Sequence, residues 1–308
     1  MSDSFSQRLA QAIQSKGNAV CVGLDPRVSQ LPSMLRESRS SSGLSAAAIV
    51  RTYCFGLLDV VASKVPIVKP QVAFFEKLGP EGMEVLRSVA ERANELGLLV
   101  LLDAKRGDIG STAEAYASAY LGAGKRSAFG GDALTVNPYL GDDTLEPFVD
   151  RAVAKQAGVF VLVKTSNPGS GFLQDLSVDQ RTISQRVAAW VQTTNESLRA
   201  GEPYGPIGAV VGATYPDELV AMRQQMPNAW LLIPGYGSQG GTAADVAGAF
   251  HDNGLGAIVN SSRGIIFAYQ REEFRKQNDW QVAVEKATDH MIADLRAHCP
   301  TVPAPSAS

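Results

Sequence analysis

Eight short β-rich segments recur along this 308-residue chain, each closed by turn or polar residues and followed by a helical pattern. They cover residues 19–25, 67–71, 99–105, 133–139, 159–165, 207–214, 230–237 and 256–263. Most are apolar without alternation, as expected of strands covered on both faces, so a parallel sheet is expected. Residues 46–63, 82–96, 112–121, 142–155, 178–198, 216–226 and 242–251 read as the intervening helices, and 279–298 closes the set. Strict alternation allows an open doubly wound sheet or a closed barrel, and a count of eight favours an α/β fold of the (β/α)8 TIM barrel type, which leaves no edge strand. Phe5, Leu9 and Ile13 recur every four residues and predict a short amphipathic helix ahead of the barrel. Two stretches interrupt the rhythm, the serine-rich 36–45 and 166–175 with its N-P-G-S-G, and both read as loops at strand ends. No linker divides the chain, so 1–299 is expected to be one catalytic barrel domain, followed by a flexible, disordered tail over 300–308.

Charge and composition exclude several partners. With 28 basic and 31 acidic residues the net charge is −3, and no long Lys/Arg cluster is present, which argues against nucleic acid and anionic membranes as partners. The longest apolar stretches, such as 96–102, fall far short of the roughly 18 residues of a membrane span. The N-terminal residues lack the basic start and apolar core of a secretory signal. Cys21, Cys54 and Cys299 are too few and too scattered for a disulfide framework or a zinc site, so a reducing cytoplasm is the expected location.

Parallel barrel strands all point their C-termini at one face, so residues far apart in sequence are read together there. Asp25 ends the first strand, Lys69 lies on the second, and the third ends Asp103-Ala-Lys105 with Asp108 close behind. The fifth ends Lys164-Thr165-Ser166, the seventh leads into P-G-Y-G-S-Q-G-G, and the eighth ends Asn260-Ser-Ser-Arg263. Asp103 and Lys105 are two apart, which places both on one side of the strand, toward the barrel axis, with Lys69 in reach. A single Asp–Lys pair is as readily a structural ion pair. Three carboxylates and two lysines at one mouth point instead to an active site. His251, His290 and His298 end no predicted strand, and no nucleophile elbow, P-loop or dinucleotide fingerprint is present. The glycine-rich turn after the seventh strand, with Gln239, and Arg263 after the eighth occupy positions where barrels often bind phosphate, because glycines let backbone N–H groups approach and arginine offers a fork of donors.

The run D-A-K-R-G-D-I-G-S-T, residues 103–112, resembles the D-x-K-x-x-D-I signature of the orotidine 5′-phosphate decarboxylase family. The likeness extends to V-G-L-D on strand one, V-K-P-Q on strand two, the P-G-Y-G-S-Q-G-G loop and Arg263, over roughly residues 20–265, and the long loops are more like the family's longer bacterial branch. The resemblance implies a homodimer without metal or cofactor that makes uridine 5′-phosphate in pyrimidine synthesis. It implies that Lys69, Asp103, Lys105 and Asp108 form the catalytic array, Asp108 coming from the other subunit. Asp25 and Lys69 would meet the ribose hydroxyls, Ile109 would contact substrate, and Thr112 would reach the partner's ribose. Ser166, or Thr165 beside it, would read the pyrimidine edge, and Gln239 and Arg263 would hold the phosphate. Two rivals stay open: a magnesium-dependent sugar-phosphate decarboxylase or aldolase using Asp25 and Asp103, against which Lys69 argues by repelling the metal, and a nucleotide-binding barrel without catalysis.

Overall fold

The computed structural model describes residues 3–213, 216–237, 241–274, 279–300 and 302. Eight parallel strands close into a barrel: β1 (Val20–Leu24), β2 (Ile67–Pro70), β3 (Leu99–Arg106), β4 (Ala133–Val136), β5 (Gly158–Lys164), β6 (Ile207–Val211), β7 (Leu231–Ile233) and β8 (Ala257–Ser261). Each pairs with its neighbours in sequence, and β8 returns to β1 with Cys21 opposite Asn260. The (β/α)8 architecture expected from the alternation is the one observed.

Two apolar clusters divide the strands by parity. Val22, Val68, Val100, Leu102 and Leu134 pack outward against the helices. Cys21, Ile67, Leu99, Leu101, Ala133, Phe160 and Ile258 belong to a separate cluster inside the barrel. Side chains alternate with a period of two, so the inward series continues toward the strand ends as Lys69, Asp103, Thr135 and Asn260. The site is thereby positioned by the same alternation that fills the barrel below it.

The N-terminal helix Phe5–Lys16 closes the other end. Ser4 and Gln7 form a capping box, and Gly17 ends the helix in the left-handed conformation at φ 63°. Phe5, Leu9 and Ile13 join the interior cluster, Phe5 lying edge-on to Phe160 at 6.0 Å. A Cβ on Gly158 would come within 2.4 Å of the Phe5 ring, so only glycine starts β5 here. Arg8 pairs with the buried carboxylate of Asp132 and fixes the helix to the barrel floor.

Several element limits differ from expectation. Residues 36–45 are not a loop throughout: Ser33–Ser42 is helical, and the hydroxyls of Ser38 and Ser41 donate to the carbonyls of Met34 and Glu37, one turn back. Serine lowers helix propensity through such local bonds, but here they are made inside the helix. The helix read over 178–198 begins only at Ile183, because Thr182 and Gln185 form a capping box and residues 177–182 fold as a two-stranded ribbon. The helix read over 242–251 is the short Ala243–Val246 followed by a 3-10 turn. Strands read through residues 139 and 214 stop at Val136 and Val211, where Asn137-Pro138 and Gly212, poor strand formers, follow the last ladder pairing. Of the tail, residues 301 and 303–308 lie outside the described residues.

Candidate active site

Asp103 is the hub of the barrel mouth. Its Oδ2 accepts from Lys69 Nζ at 2.7 Å and from Gln71 Nε2 at 2.9 Å. Its Oδ1 accepts from Lys105 Nζ at 2.5 Å and from Thr135 Oγ1 at 2.9 Å. Both Lys69 and Asp103 are buried, at 5% and 6% exposure, whereas the Lys105 side chain is 46% exposed and reaches into open space. Burial alone would raise the Asp103 carboxyl, but the two ammoniums and their hydrogen bonds outweigh it and hold it well below the usual carboxylate range. Burial likewise pulls Lys69 down, and Asp103 and Asp25 more than compensate, so Lys69 stays charged above its ordinary value.

Lys105 does not reach Asp103 by straight strand alternation. The β3–β4 register shifts between Leu102 and Arg106, and Lys105 sits at φ 49° in the left-handed region. A lysine there costs on the order of 1–3 kcal/mol and persists only where the surroundings over-determine it. The Lys105 N–H donates to Thr135 Oγ1 at 2.9 Å, so one hydroxyl holds both the strained backbone and the Asp103 carboxylate. The expectation that both side chains converge on the axis holds, with a bulge as its cause.

Lys69, Asp103 and Lys105 open onto a cavity of about 730 Å³. Thr135, Thr165 and Ser166 also line it, and Leu162, Val210, Leu232 and Pro234 give it an apolar wall. Thr165 and Ser166 both stand at this cavity; the Thr165 hydroxyl donates to Asn167 Oδ1 at 2.6 Å and accepts from Gln174 Nε2 at 2.9 Å. Lys164, buried at the end of β5, bridges Asp175 in that loop to Glu218 after β6, the latter at 3.3 Å. Burial lowers its basicity, and the two carboxylates reverse this, keeping it above its ordinary value.

Beside Lys69, at the junction of β1 and β8, three buried acceptors have no hydrogen-bond partner: Asp25 Oδ1, Asn260 Oδ1 and Ser262 Oγ. Buried oxygens left unsatisfied are costly, so their grouping marks a place suited to a ligand with hydroxyl donors. Gly23 keeps that junction tight, since its Cβ would lie 2.7 Å from that of Ser262.

The remaining expected residues are not in this cavity. Asp108 accepts from its neighbour's N–H at Ile109, at 2.8 Å, and Ile109 is 63% exposed. Thr112 is exposed in the first turn of the helix Gly110–Tyr120. Arg263, at the start of the short helix Arg263–Ile266, lines a second cavity of about 730 Å³ with Tyr236, Gly237, Gly241 and Thr242. The loop after β7 joins the two spaces, Pro234 facing the first and Tyr236 the second. Gln239 lies outside the described residues. Sequence reasoning missed Thr135 and Gln71 as partners of Asp103; Thr135 shares the inward parity of Ala133, which the barrel reveals.

Comparison with known proteins places the chain in a family. Residues 18–277 match the model of the orotidine 5′-phosphate decarboxylase / HUMPS family. The chain is 54% identical over 299 residues to the orotidine 5′-phosphate decarboxylase of Rhodopirellula baltica, covering 95% of this chain and 99% of that one. It is 43% identical over 269 residues to the same-named protein of Deinococcus radiodurans, covering 87% and 91%. The structure of Leishmania donovani OMP decarboxylase superposes with a TM-score of 0.74 at 32% identity, over 96% of this chain and 98% of that chain.

Proposed function

The chain belongs to the orotidine 5′-phosphate decarboxylase / HUMPS family, and from that premise we propose how its residues decarboxylate orotidine 5′-phosphate to uridine 5′-phosphate. The observation that carries the reading is the buried Asp103 carboxylate held between Lys69 and Lys105. Both Asp103 oxygens are engaged by ammoniums, an arrangement suited to a charged organic substrate and unfavourable to a divalent cation.

The substrate carboxylate leaves as carbon dioxide, and the electron pair of the broken bond stays on ring carbon C6. No adjacent group delocalises that pair, so a fixed positive charge beside it is the main stabilisation available. Lys105 supplies it, and its Nζ then donates a proton to C6, leaving a neutral amine that regains a proton from solvent. Asp103 orients Lys105 and, adjacent to the substrate carboxylate, disfavours that charge. Two like charges about 4 Å apart repel by about 4 kcal/mol at an effective dielectric near 20. Lys69 and Thr135 keep Asp103 fixed during this step.

Asp25 and Lys69 meet the ribose hydroxyls, for which the unsatisfied oxygen of Asp25 is suited. Ser166 or Thr165 reads the pyrimidine edge from the loop after β5. Arg263 and Gln239 hold the phosphate after β8 and β7, and this remote grip supplies binding energy used to orient the base. Asp108, Ile109 and Thr112 act in the site of a second copy. Their support is that none of them lines the cavity of their own chain, and that Ile109, Tyr139 and Leu140 are exposed apolar side chains of the kind a homodimer would cover. No helix among the described residues is long and apolar enough to cross a membrane, and the three cysteines are free thiols, which suits a reducing cytoplasm.

The test is direct. Protein stripped with a chelator and desalted should lower the ultraviolet absorbance of added orotidine 5′-phosphate and yield uridine 5′-phosphate. Turnover appearing only on return of magnesium would refute the metal-free mechanism, and no turnover in either state would refute the assignment itself.

A further inference from the structure

A groove of about 1030 Å³ lies outside the catalytic mouth, and four cationic side chains line it. Arg27 comes from the loop after β1, Arg36 and Arg39 from the helix Ser33–Ser42, and Lys77 from the end of the short helix Ala73–Glu76. Its described lining holds no carboxylate. In a chain of net charge −3, this convergence is an arrangement that mutual repulsion opposes.

The cations are held rather than splayed. The Arg27 guanidinium lies 5.4 Å from the centroid of the Phe74 ring, and Lys77 Nζ lies 4.9 Å from the same ring. One aromatic ring thus gathers two of the charges. Arg36 Nε donates to the Leu31 carbonyl at 3.0 Å, which fixes the direction of its guanidinium. Arg27 Nε is buried with no hydrogen-bond partner.

We propose that this groove binds a ligand carrying a linear polyphosphate, either a free polyphosphate or the phosphate chain of a nucleoside triphosphate. A single phosphate would meet only part of the four-cation array, whereas a triphosphate of about four negative charges matches it along the groove. Four cations gathered in one groove, in a sequence without a long Lys/Arg cluster, suit a small polyanion better than a nucleic acid. The groove also touches the catalytic frame. Arg27 is two residues from Asp25, and Phe74 three from Gln71, which bonds Asp103 at 2.9 Å, so occupancy reaches the ends of both β1 and β2.

Because the substrate phosphate region at Arg263 is a second anion site, the experiment separates the two. The full chain is titrated calorimetrically at low salt with sodium tripolyphosphate, and in parallel with uridine triphosphate and orthophosphate. One tripolyphosphate per chain should bind in the groove, tighter than orthophosphate, and weaken at least ~10-fold between 50 and 200 mM salt, as expected where several ion contacts are screened. Arg39→Gln/Lys77→Gln should weaken it ~10-fold or more, and Lys77→Glu likewise, with circular dichroism confirming the fold, while Arg263→Ala leaves groove binding within about twofold. Equal affinity for tripolyphosphate and uridine triphosphate would identify the phosphate chain as the recognised part, and tighter nucleotide binding would add a base contact. The proposal is overturned by an absence of binding at millimolar ligand, by unchanged affinity in the Arg39/Lys77 variants, or by loss of all binding in Arg263→Ala alone.

Discussion

Asp103 accepts four hydrogen bonds at the mouth of the barrel, two of them from lysines, and the charge state of the whole array depends on it. Its folded-state acidity is increased, so the stability it contributes is present above its ordinary value of 3.8 and is lost as pH falls through its lower folded value. Lys69, raised above 10.5, contributes stability that is present below that value and lost only as pH rises through the folded one. The native pair should therefore leave stability flat across the neutral range. Asp103→Asn leaves Lys69 buried with Asp25 as its remaining acidic neighbour, and removing one partner of a buried pair costs about 3 kcal/mol or more. The lysine of the variant is then easier to deprotonate folded than unfolded, so the deficit should shrink as pH rises from 7 toward 10, as denaturant melts at several pH values would show. A gap that stays constant or widens would mean that Lys69 is not held by Asp103. The lysines and carboxylates were legible in the sequence because charged residues ending apolar strands stand out. Thr135 was not: a lone threonine in a strand is unremarkable until pairing shows that it serves both Asp103 and the left-handed Lys105.

Strands β1 to β8 were legible as elements because each is a short apolar run bounded by turn residues, and their inward parity placed most of the site. Element ends were less so. Val211 is followed by Gly212 and Ala213, weak strand formers that a reading by polar punctuation runs through, and the ladder pairing ends at Val211. The capping box at Thr182 and Gln185 was written in the sequence and moves the helix start to Ile183, after a segment from which Thr165, Ser166, Asn167, Leu173 and Gln174 form a wall of the cavity. That wall is tied back by Lys164 through Asp175 and Glu218, and by the Thr165–Gln174 bonds. Lys164→Met removes the tie while leaving both carboxylates in solvent, where they cost little. It should raise KM for orotidine 5′-phosphate about 10-fold, equivalent to ~1.4 kcal/mol, with kcat changed less than about threefold. Steady-state kinetics checks this. A fall in kcat with KM unchanged would place Lys164 in the chemical step and not in positioning the loop.

At the scale of the molecule, the barrel supplies one complete half of the proposed site and presents the other half outward. Lys69, Asp103 and Lys105 share a cavity, whereas Asp108, Ile109 and Thr112 do not line it, and Ile109 and Thr112 are exposed. No property of a single strand or helix could reveal this division, because it depends on where a second copy would sit; in the sequence it was reached only through the family signature. The central claim is that decarboxylation uses Lys105 of one chain with Asp108 of the partner subunit. Lys105→Ala and Asp108→Asn should each be nearly inactive, with rates down by about 10²–10⁴-fold or more, as when a proton donor or a fixed charge is removed. Mixed in equal amounts under conditions that exchange subunits, random pairing makes about half the dimers mixed, and by two-fold symmetry each mixed dimer holds one doubly defective and one intact site. Turnover of orotidine 5′-phosphate by the mixture should therefore recover to about a quarter of the native activity per site. A mixture that stays inactive although exchange is demonstrated, for instance by mass spectrometry of the intact dimers, would contradict the shared site and leave Asp108 acting within its own chain.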